Sequence, residues 1–324
     1  FTLNLLIGGL VRIRKSSRTL GIIIVHIGIA LMMAAGLVKL VASHDGHLTL
    51  AEGEQASEFV SYYDWEIAVW PLPAGDAGGE PKVEHLVLHE NLAAVRSGGR
   101  TLVDSADLPF TFVLSDFERN ARPVPKGPMF EAPHRVIDGW TLLPEKPDPT
   151  AERNVAGLYV DVRPRDGSPA LAGFLFGGEG LPWTFEADGR AWAMTLRHAR
   201  FPMPYTIRLD KFTRELHPRT GIAKVFSSRV AKIEDGAETE IAISMNEPLR
   251  DGGLVLFQSS WGETPRGLFS VFSVVRNPSD HWPLYSCIII AAGLLLAFGQ
   301  RLLAHVRTQR KKLARLRAAT DPGS

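Results

Sequence analysis

The sequence predicts a membrane protein with transmembrane α-helices and a large extracytoplasmic all-β domain, a sandwich or open barrel, two related lobes being one reading of it. Three observations predict it. Two apolar runs, Leu20 to Ala42 and Trp282 to Ala304, are long enough to cross a bilayer. Cations crowd the ends of both runs. Between them lie about 240 residues of short, alternating apolar segments broken by Gly and Pro.

Residues 1–19 open on FTLNLLIGGL, which is apolar but too short to span. It reads as the end of a truncated upstream helix, followed by a basic cytoplasmic loop carrying Arg12, Arg14, Lys15 and Arg18. A cleaved signal peptide fits poorly, because no small-residue cleavage site separates this run from the next one.

Residues 20–42, LGIIIVHIGIALMMAAGLVKLVA, form the first predicted span. At about 1.5 Å per residue this run of about 23 residues matches the ~30 Å hydrocarbon core with some tilt. His26 lies within it, about 9 Å from the cytoplasmic end by helical rise. An ionisable residue at such a depth is a functional candidate by default. Ile22, Ile23, Ile29, Ala30 and Met33 share its helix face. Gly21, Gly28 and Ala35 recur every seven residues on another face, where small side chains admit a neighbouring helix, a partner subunit's among the candidates. The bland alternative for His26 is a hydrogen bond to a neighbouring helix and nothing more.

Residues 43–281 form the predicted β domain. DWEIAVWPL from Asp64, FTFVLSDF from Phe110, GLYVDVRP from Gly157, RAWAMTLRHARF from Arg190 and YTIRLDKF from Tyr205 alternate as half-buried strands do. Asp166-Gly167, Asp188-Gly189 and Asp235-Gly236 are predicted hairpin turns, since glycine accepts the positive φ that such turns need. LPFTFVLSDFERNARP from Leu108 echoes MPYTIRLDKFTRELHP from Met203, about 95 residues on, and two readings stay open, a pair of related lobes or a chance match between amphipathic strands. His44 and His47 have a spacing that could serve a metal, but a solvated turn is the plainer expectation. His85, His89, His134, His198 and His217 read as exposed or hydrogen-bonded.

Residues 282–304 form the second predicted span, opened by Trp282 and Tyr285 at interfacial depth and closed by Arg301. Residues 305–324 continue it as a basic tail with leucines on one side, and its cations suit the anionic cytoplasmic surface of the bilayer. Cations flank the outer ends of both spans, so both ends are placed in the cytoplasm and the β domain outside. The net charge of +1 conceals this separation of cations at the ends from acids in the middle, and nucleic acid is not an expected partner. The single cysteine, Cys287, lies within the second span, so the β domain has no disulfide framework and no thiol chemistry.

Three stretches carry a resemblance: VHIGIALMMAAGL followed by GHLTLAEGEQ; YTIRLDKFTRELHPRTGIAKVFSSRV; and ISMNEPLRDGGLVLFQSSW followed by FSVFSVVRNPSDHWPLYSCIIIAAGLLLAFG. In this combination and order the chain resembles the ResB-like (CcsB) family of system II cytochrome c biogenesis proteins. The resemblance implies a bacterial inner (cytoplasmic) membrane protein, multi-pass, with its large domain on the periplasmic side. It implies a ResC/CcsA-type membrane partner, the two together moving haem across the membrane and attaching it to apocytochrome c. It further implies haem b, held transiently and shared with the partner, and His26 as an axial ligand of the haem iron. External haem ligands in this family belong to the partner's tryptophan-rich motif, for which this chain has no counterpart, and His281, beside Trp282, is not assigned that role.

Asn246, Pro248, Leu249, Arg250, Gln258, Ser259 and Ser260 form the most recognisable stretch of the resemblance, and structure is the plainer role for them. Pro and Gly would set a turn, with Asn246 and Gln258 bonding backbone groups. No GxSxG, HExxH or P-loop pattern occurs, so no catalytic residue is assigned. The chain is expected to act as a non-catalytic subunit of a haem-attachment complex. The alternative from another class is a membrane-tethered β domain that binds or senses an envelope ligand without haem.

Overall fold

The computed structural model describes residues 4–13, 15–16, 19–73, 85–87, 92, 95, 99–129, 131–216, 223–265 and 267–320. Arg14, Arg18, His89, His217 and the side chain of Arg317 lie outside the described residues. The chain divides into two units, Phe1–His44 with Arg276–Ser324, and Asp45–Val275.

The first unit is helical. A π-helical segment, Leu5–Val11, precedes helix α1, Leu20–Ala42. α1 contains no Pro, Asp or Glu to break or charge it, and it ends where Ser43 turns extended. Helix α2, Trp282–Thr320, opens with Pro283 in its first turn, where the missing N–H costs nothing. Both are long and apolar enough to cross a membrane.

α1 and α2 pack through small residues. A Cβ added at Gly21 would lie 2.6 Å from the Ala297 nitrogen, and one at Gly28 would lie 2.6 Å from Ile290 Cγ1. A Cβ at Gly293 would meet the Gly21 carbonyl and the Val25 nitrogen at 2.8 Å. Farther along, Ser279 Oγ donates to the Ala35 carbonyl at 2.9 Å. The seven-residue stripe on α1 is therefore taken by the chain's own second helix rather than by a partner's. Backbone approach this close needs glycine, because any side chain would drive the helices apart.

The second unit is all β. Its first strands are β1 (His44–Ala51), β2 (Gln55–Pro71), β3 (His85–Val87), β4 (Arg100–Val103), β5 (Phe110–Glu118), β6 (Ala121–Pro125) and β7 (Trp140–Pro144). There follow β8 (Gly157–Pro164), β9 (Leu171–Phe176), β10 (Trp183–Ala187), β11 (Arg190–Leu216) and β12 (Ala223–Glu234). The last are β13 (Ala237–Ser244), β14 (Leu249–Asp251), β15 (Leu254–Thr264) and β16 (Gly267–Arg276).

The largest sheet runs β13-β12-β11-β2-β1-β16-β15-β14, with β10 added to β11 and β3 to β2. It curls until β12 and β13 approach β14 and β15, giving a nearly closed barrel. A four-stranded sheet, β4-β5-β8-β9, and a hairpin, β6-β7, complete the domain. All the pairings given are antiparallel, and the turns account for several of them. Asp188-Gly189 and Asp235-Gly236 have positive φ at both residues, the geometry that joins β10 to β11 and β12 to β13 without splaying the strands. Asp166-Gly167 lies between β8 and β9, with Asp166 Oδ1 accepting from the Ser168 amide at 2.8 Å.

RAWAMTLRHARF and YTIRLDKF, expected as separate strands, form the single 27-residue strand β11. Pro202 and Pro204 lie at their junction. Neither proline can donate to a ladder, and the register with β2 slips between Pro202 and Ile207, but the chain stays extended through the irregularity.

The apolar interior forms two principal clusters. One gathers Phe110, Phe112, Leu114, Leu158 and Val160 from the four-stranded sheet against Ile67, Val69, Phe185, Trp192, Met194 and Leu196. The other gathers Phe59, Tyr205, Ile207, Leu209, Phe212, Val230, Leu256, Phe272 and Val274 inside the barrel. β2 and β11 are long enough to contribute to both. The two echoed segments fall one in each: Phe110, Phe112, Leu114 and Phe117 are buried in the first, and Tyr205, Ile207, Leu209 and Phe212 in the second. Each also carries a register shift, between Ser115 and Glu118 in β5 and between Leu209 and Lys211 in β11, displaced by one to two positions in the alignment of the echo.

Candidate functional site

His26 stands on the second turn of α1. Its Nδ1 lies 2.7 Å from the Ile22 carbonyl, one turn back. A carbonyl oxygen only accepts, so Nδ1 is the donor, and in the neutral form of the ring the lone pair is on Nε2. That is the tautomer a metal-binding imidazole needs, with the second nitrogen held by a hydrogen bond that also fixes the ring plane. Nε2 has no hydrogen-bond partner among the described residues. Ile22, Ile23, Ile29, Ala30 and Met33 are half-buried around it.

The π-helical segment reaches the same ring. A Cβ at Gly9 would fall 2.0 Å from His26 Cδ2 and 2.6 Å from Nε2, so only glycine leaves the imidazole its place. This cradle escaped sequence reasoning, since a Gly-Gly pair near a chain end has many explanations. The donor available here, a single imidazole nitrogen beside a glycine, is chemically of the kind that can ligate a haem iron.

Among the described residues no group of three or more His, Cys, Asp or Glu could hold a metal ion. His44 and His47 lie in β1 rather than in a solvated turn, and pairing of Gly46 with Ser61 and of His47 with Val60 is what keeps them extended. His47 stacks on Tyr62 at 5.3 Å, and His198 stacks on Trp65 at 4.0 Å. Among the described residues, His47 Nδ1 is buried without a hydrogen-bond partner. Burial lowers the pKa of both rings below the ordinary histidine value, more than Glu152 beside His47 or the Asp64 backbone beside His198 can restore. Burial likewise raises the pKa of Tyr62 and Tyr63, with Glu152 and Asp45 adding to the effect. His198 and Trp65 are 133 positions apart, and only the β2–β11 register brings them together. His134 faces Glu118 at 3.6 Å, and His281 is exposed beside Asp280 at the same distance.

The stretch around Gln258 forms a buried polar network inside the barrel. Ser228 Oγ donates to Gln258 Oε1 at 2.6 Å, and Gln258 Nε2 donates to Ser270 Oγ at 2.8 Å and to the Ser260 carbonyl at 3.2 Å. Ser228 and Ser270 are themselves 2.9 Å apart. Gln258 thus bonds chiefly side chains, where backbone partners were expected. Asn246 is exposed in the turn closed by Ser244 and Glu247, whose backbones exchange hydrogen bonds. At the barrel gap, Lys232 of β12 pairs with Asp251 of β14 and, at 2.6 Å, with Glu234. These hydrogen bonds raise the Lys232 pKa and lower that of Asp251. The arrangement contains no nucleophile and base in hydrogen-bond reach, and its chemistry is structural.

A curled β domain flanked in sequence by two helices long and apolar enough to cross a membrane is an architecture consistent with a membrane protein. Residues 170–269 match the model of the ResB-like family, which is associated with cytochrome c biogenesis. The matched segment runs from β9 into β16 and includes Ser228 and Gln258. No curated protein matches the chain.

Proposed function

We propose that this chain is the haem-handling, non-catalytic subunit of a system II cytochrome c assembly complex, acting with a ResC/CcsA-type membrane protein. It would lie in the bacterial cytoplasmic membrane as a multi-pass protein, with the β domain on the periplasmic side. The flanking cations support that orientation. Its substrates would be haem and an apocytochrome c, the haem passing through the bilayer and then to the apoprotein on the complex.

The observation that carries the reading is the state of His26, with Nδ1 donated to the Ile22 carbonyl and Nε2 free among the described residues. An intramembrane imidazole so poised is an expensive group to keep and a suitable axial ligand. Haem, when bound, would supply the iron for that nitrogen. The chain's own part is to fix the tautomer through Ile22, to leave room through Gly9, and to exclude water with the surrounding isoleucines and Met33.

The test is a visible absorption spectrum of the full-length protein purified with its ResC-type partner, for wild type and His26→Ala. The expected result is a set of haem bands that weaken in the variant and return when imidazole is added. A haem-loaded complex indifferent to His26→Ala would remove His26 from the site. No haem in either protein would favour the tethered ligand-binding domain.

A further inference from the structure

The face of the β domain formed by the β6-β7 hairpin and strand β9 carries a groove of about 550 Å³ lined by Pro123, Ile137, Trp140, Phe174, Phe176 and Gly178. Its size is that of a site for a few side chains. Three features mark it. Its walls are rings: Trp140 is 45% exposed, and Phe174 and Phe176 point the same way from β9 because Leu175 between them is turned into the core. Its only charged lining residues are two carboxylates, Asp138 and Glu179, and neither has an ion pair among the described residues. It lies along an end strand of the four-stranded sheet.

The groove is also built rather than incidental. Asp138 and Gly139 both have positive φ, the two-residue turn that closes Ile137 onto Trp140 and stands the indole at the hairpin tip. A Cβ at Gly178 would fall 2.6 Å from Phe176 Cε1, so glycine is what lets that ring lie down over the chain. The hairpin itself is fixed from beneath by Tyr159, whose hydroxyl accepts from the Leu142 amide at 2.9 Å and donates to the Arg135 carbonyl at 2.9 Å.

We infer that this groove docks an extended polypeptide segment carrying an arginine or lysine next to an aromatic or aliphatic residue. The apolar side chain would lie against Phe174 and Phe176. The cation would stack on Trp140 and pair with Asp138 and Glu179, two exposed carboxylates with no ion pair among the described residues, whose charge is complementary to it. An edge strand beside a side-chain pocket is the arrangement by which sheets accept extended peptides, with the pocket conferring specificity. The inference goes beyond the haem reading and uses no part of His26, so each can fail without the other.

The test is a fluorescence-anisotropy titration of the full chain in phosphatidylcholine nanodiscs with two labelled hexapeptides, Ala-Arg-Phe-Val-Lys-Ala and its acidic counterpart Ala-Glu-Phe-Val-Glu-Ala. The basic peptide is expected to bind at least about tenfold more tightly than the acidic one. Trp140→Ala should weaken it by about tenfold, the effect of removing a central aromatic anchor. Asp138→Asn with Glu179→Gln should weaken it about fivefold and flatten its salt dependence. Asn tolerates the left-handed conformation at Asp138, and Glu179→Gln alone sits at an exposed position, so loss of fold does not mask the result. Equal binding of the two peptides, binding unchanged by Trp140→Ala, or binding no stronger than to empty nanodiscs would overturn the inference. So would self-association of the chain that disappears with Trp140→Ala, which would give the groove to a second copy.

Discussion

The two clusters of the β domain solve the same problem with different chemistry. The cluster over the four-stranded sheet is held by rings: Phe110 meets Phe185 and Trp192 edge-on at 5.1 Å each, and Trp183 tilts over Phe185 at 4.8 Å. The barrel cluster holds Ser228, Gln258 and Ser270 in mutual hydrogen bonds at its centre. Rings contribute by area and shape, so one apolar side chain can stand in for another at modest cost. A buried amide contributes only if every polar atom near it is satisfied, so its partners are fixed together. The family match covers Ser228 and Gln258 and stops one residue short of Ser270, and it also takes in Phe185, Trp192 and Met194 of the aromatic cluster, so it spans parts of both.

Replacing Phe110 with alanine breaks the comparison on the aromatic side. The ring is fully buried, and its removal should cost about 3–5 kcal/mol through lost transfer energy and the cavity left behind. Denaturant unfolding followed by tryptophan fluorescence measures this, and a loss below about 1 kcal/mol would show that the cluster closes over the gap. Gln258→Leu breaks the polar side by about 1–3 kcal/mol, because it strands the hydroxyls of Ser228 and Ser270 with only each other. The triple variant Ser228→Ala, Gln258→Leu, Ser270→Ala should recover much of that loss, since an all-apolar replacement leaves nothing unsatisfied. If the triple is worse than the single, the network's value is its shape, and the distinction between the clusters weakens.

The sequence made the aromatic cluster easier to read than the polar one. Alternation along FTFVLSDF places Phe110, Phe112 and Leu114 on one face, and the same period places Tyr205, Ile207 and Leu209, because side chains alternate whatever the strand pairs with. Asp188-Gly189 and Asp235-Gly236 were legible for a local reason, their need for positive φ. Gln258 was legible as a residue of interest but not by its partners, which lie 30 and 12 positions away across strands whose register no local rule sets. The union of two expected strands into β11 was hidden by Pro202 and Pro204, which ordinarily end a strand and here only shift its register. His26 was legible as a polar residue in an apolar helix, whereas its contact with Gly9 depends on how two helical segments pack.

The smallest of these effects lies at the junction of the clusters and joins them. His47 pairs in register with Val60, next to Phe59 of the barrel cluster, and His198 pairs with Trp65 of the aromatic one. Burial lowers both histidine pKa values in the folded domain, so the unfolded chain, at about 6.5, binds protons first as pH falls. Stability from these rings is therefore complete above about pH 6.5 and is lost as pH drops from there through the lowered folded values. Both rings are only half-buried, so solvent screens much of the charge and the loss stays below that of either core substitution. His47→Phe with His198→Phe keeps the stacking on Tyr62 and Trp65 and removes the titration. The Tm of that variant should be flat between about pH 5 and pH 7.5, where the wild type declines toward acid. A wild-type decline that survives in the variant would move the acid sensitivity to carboxylates such as Asp251, whose pairing with Lys232 lowers its pKa and fails only at more acidic pH.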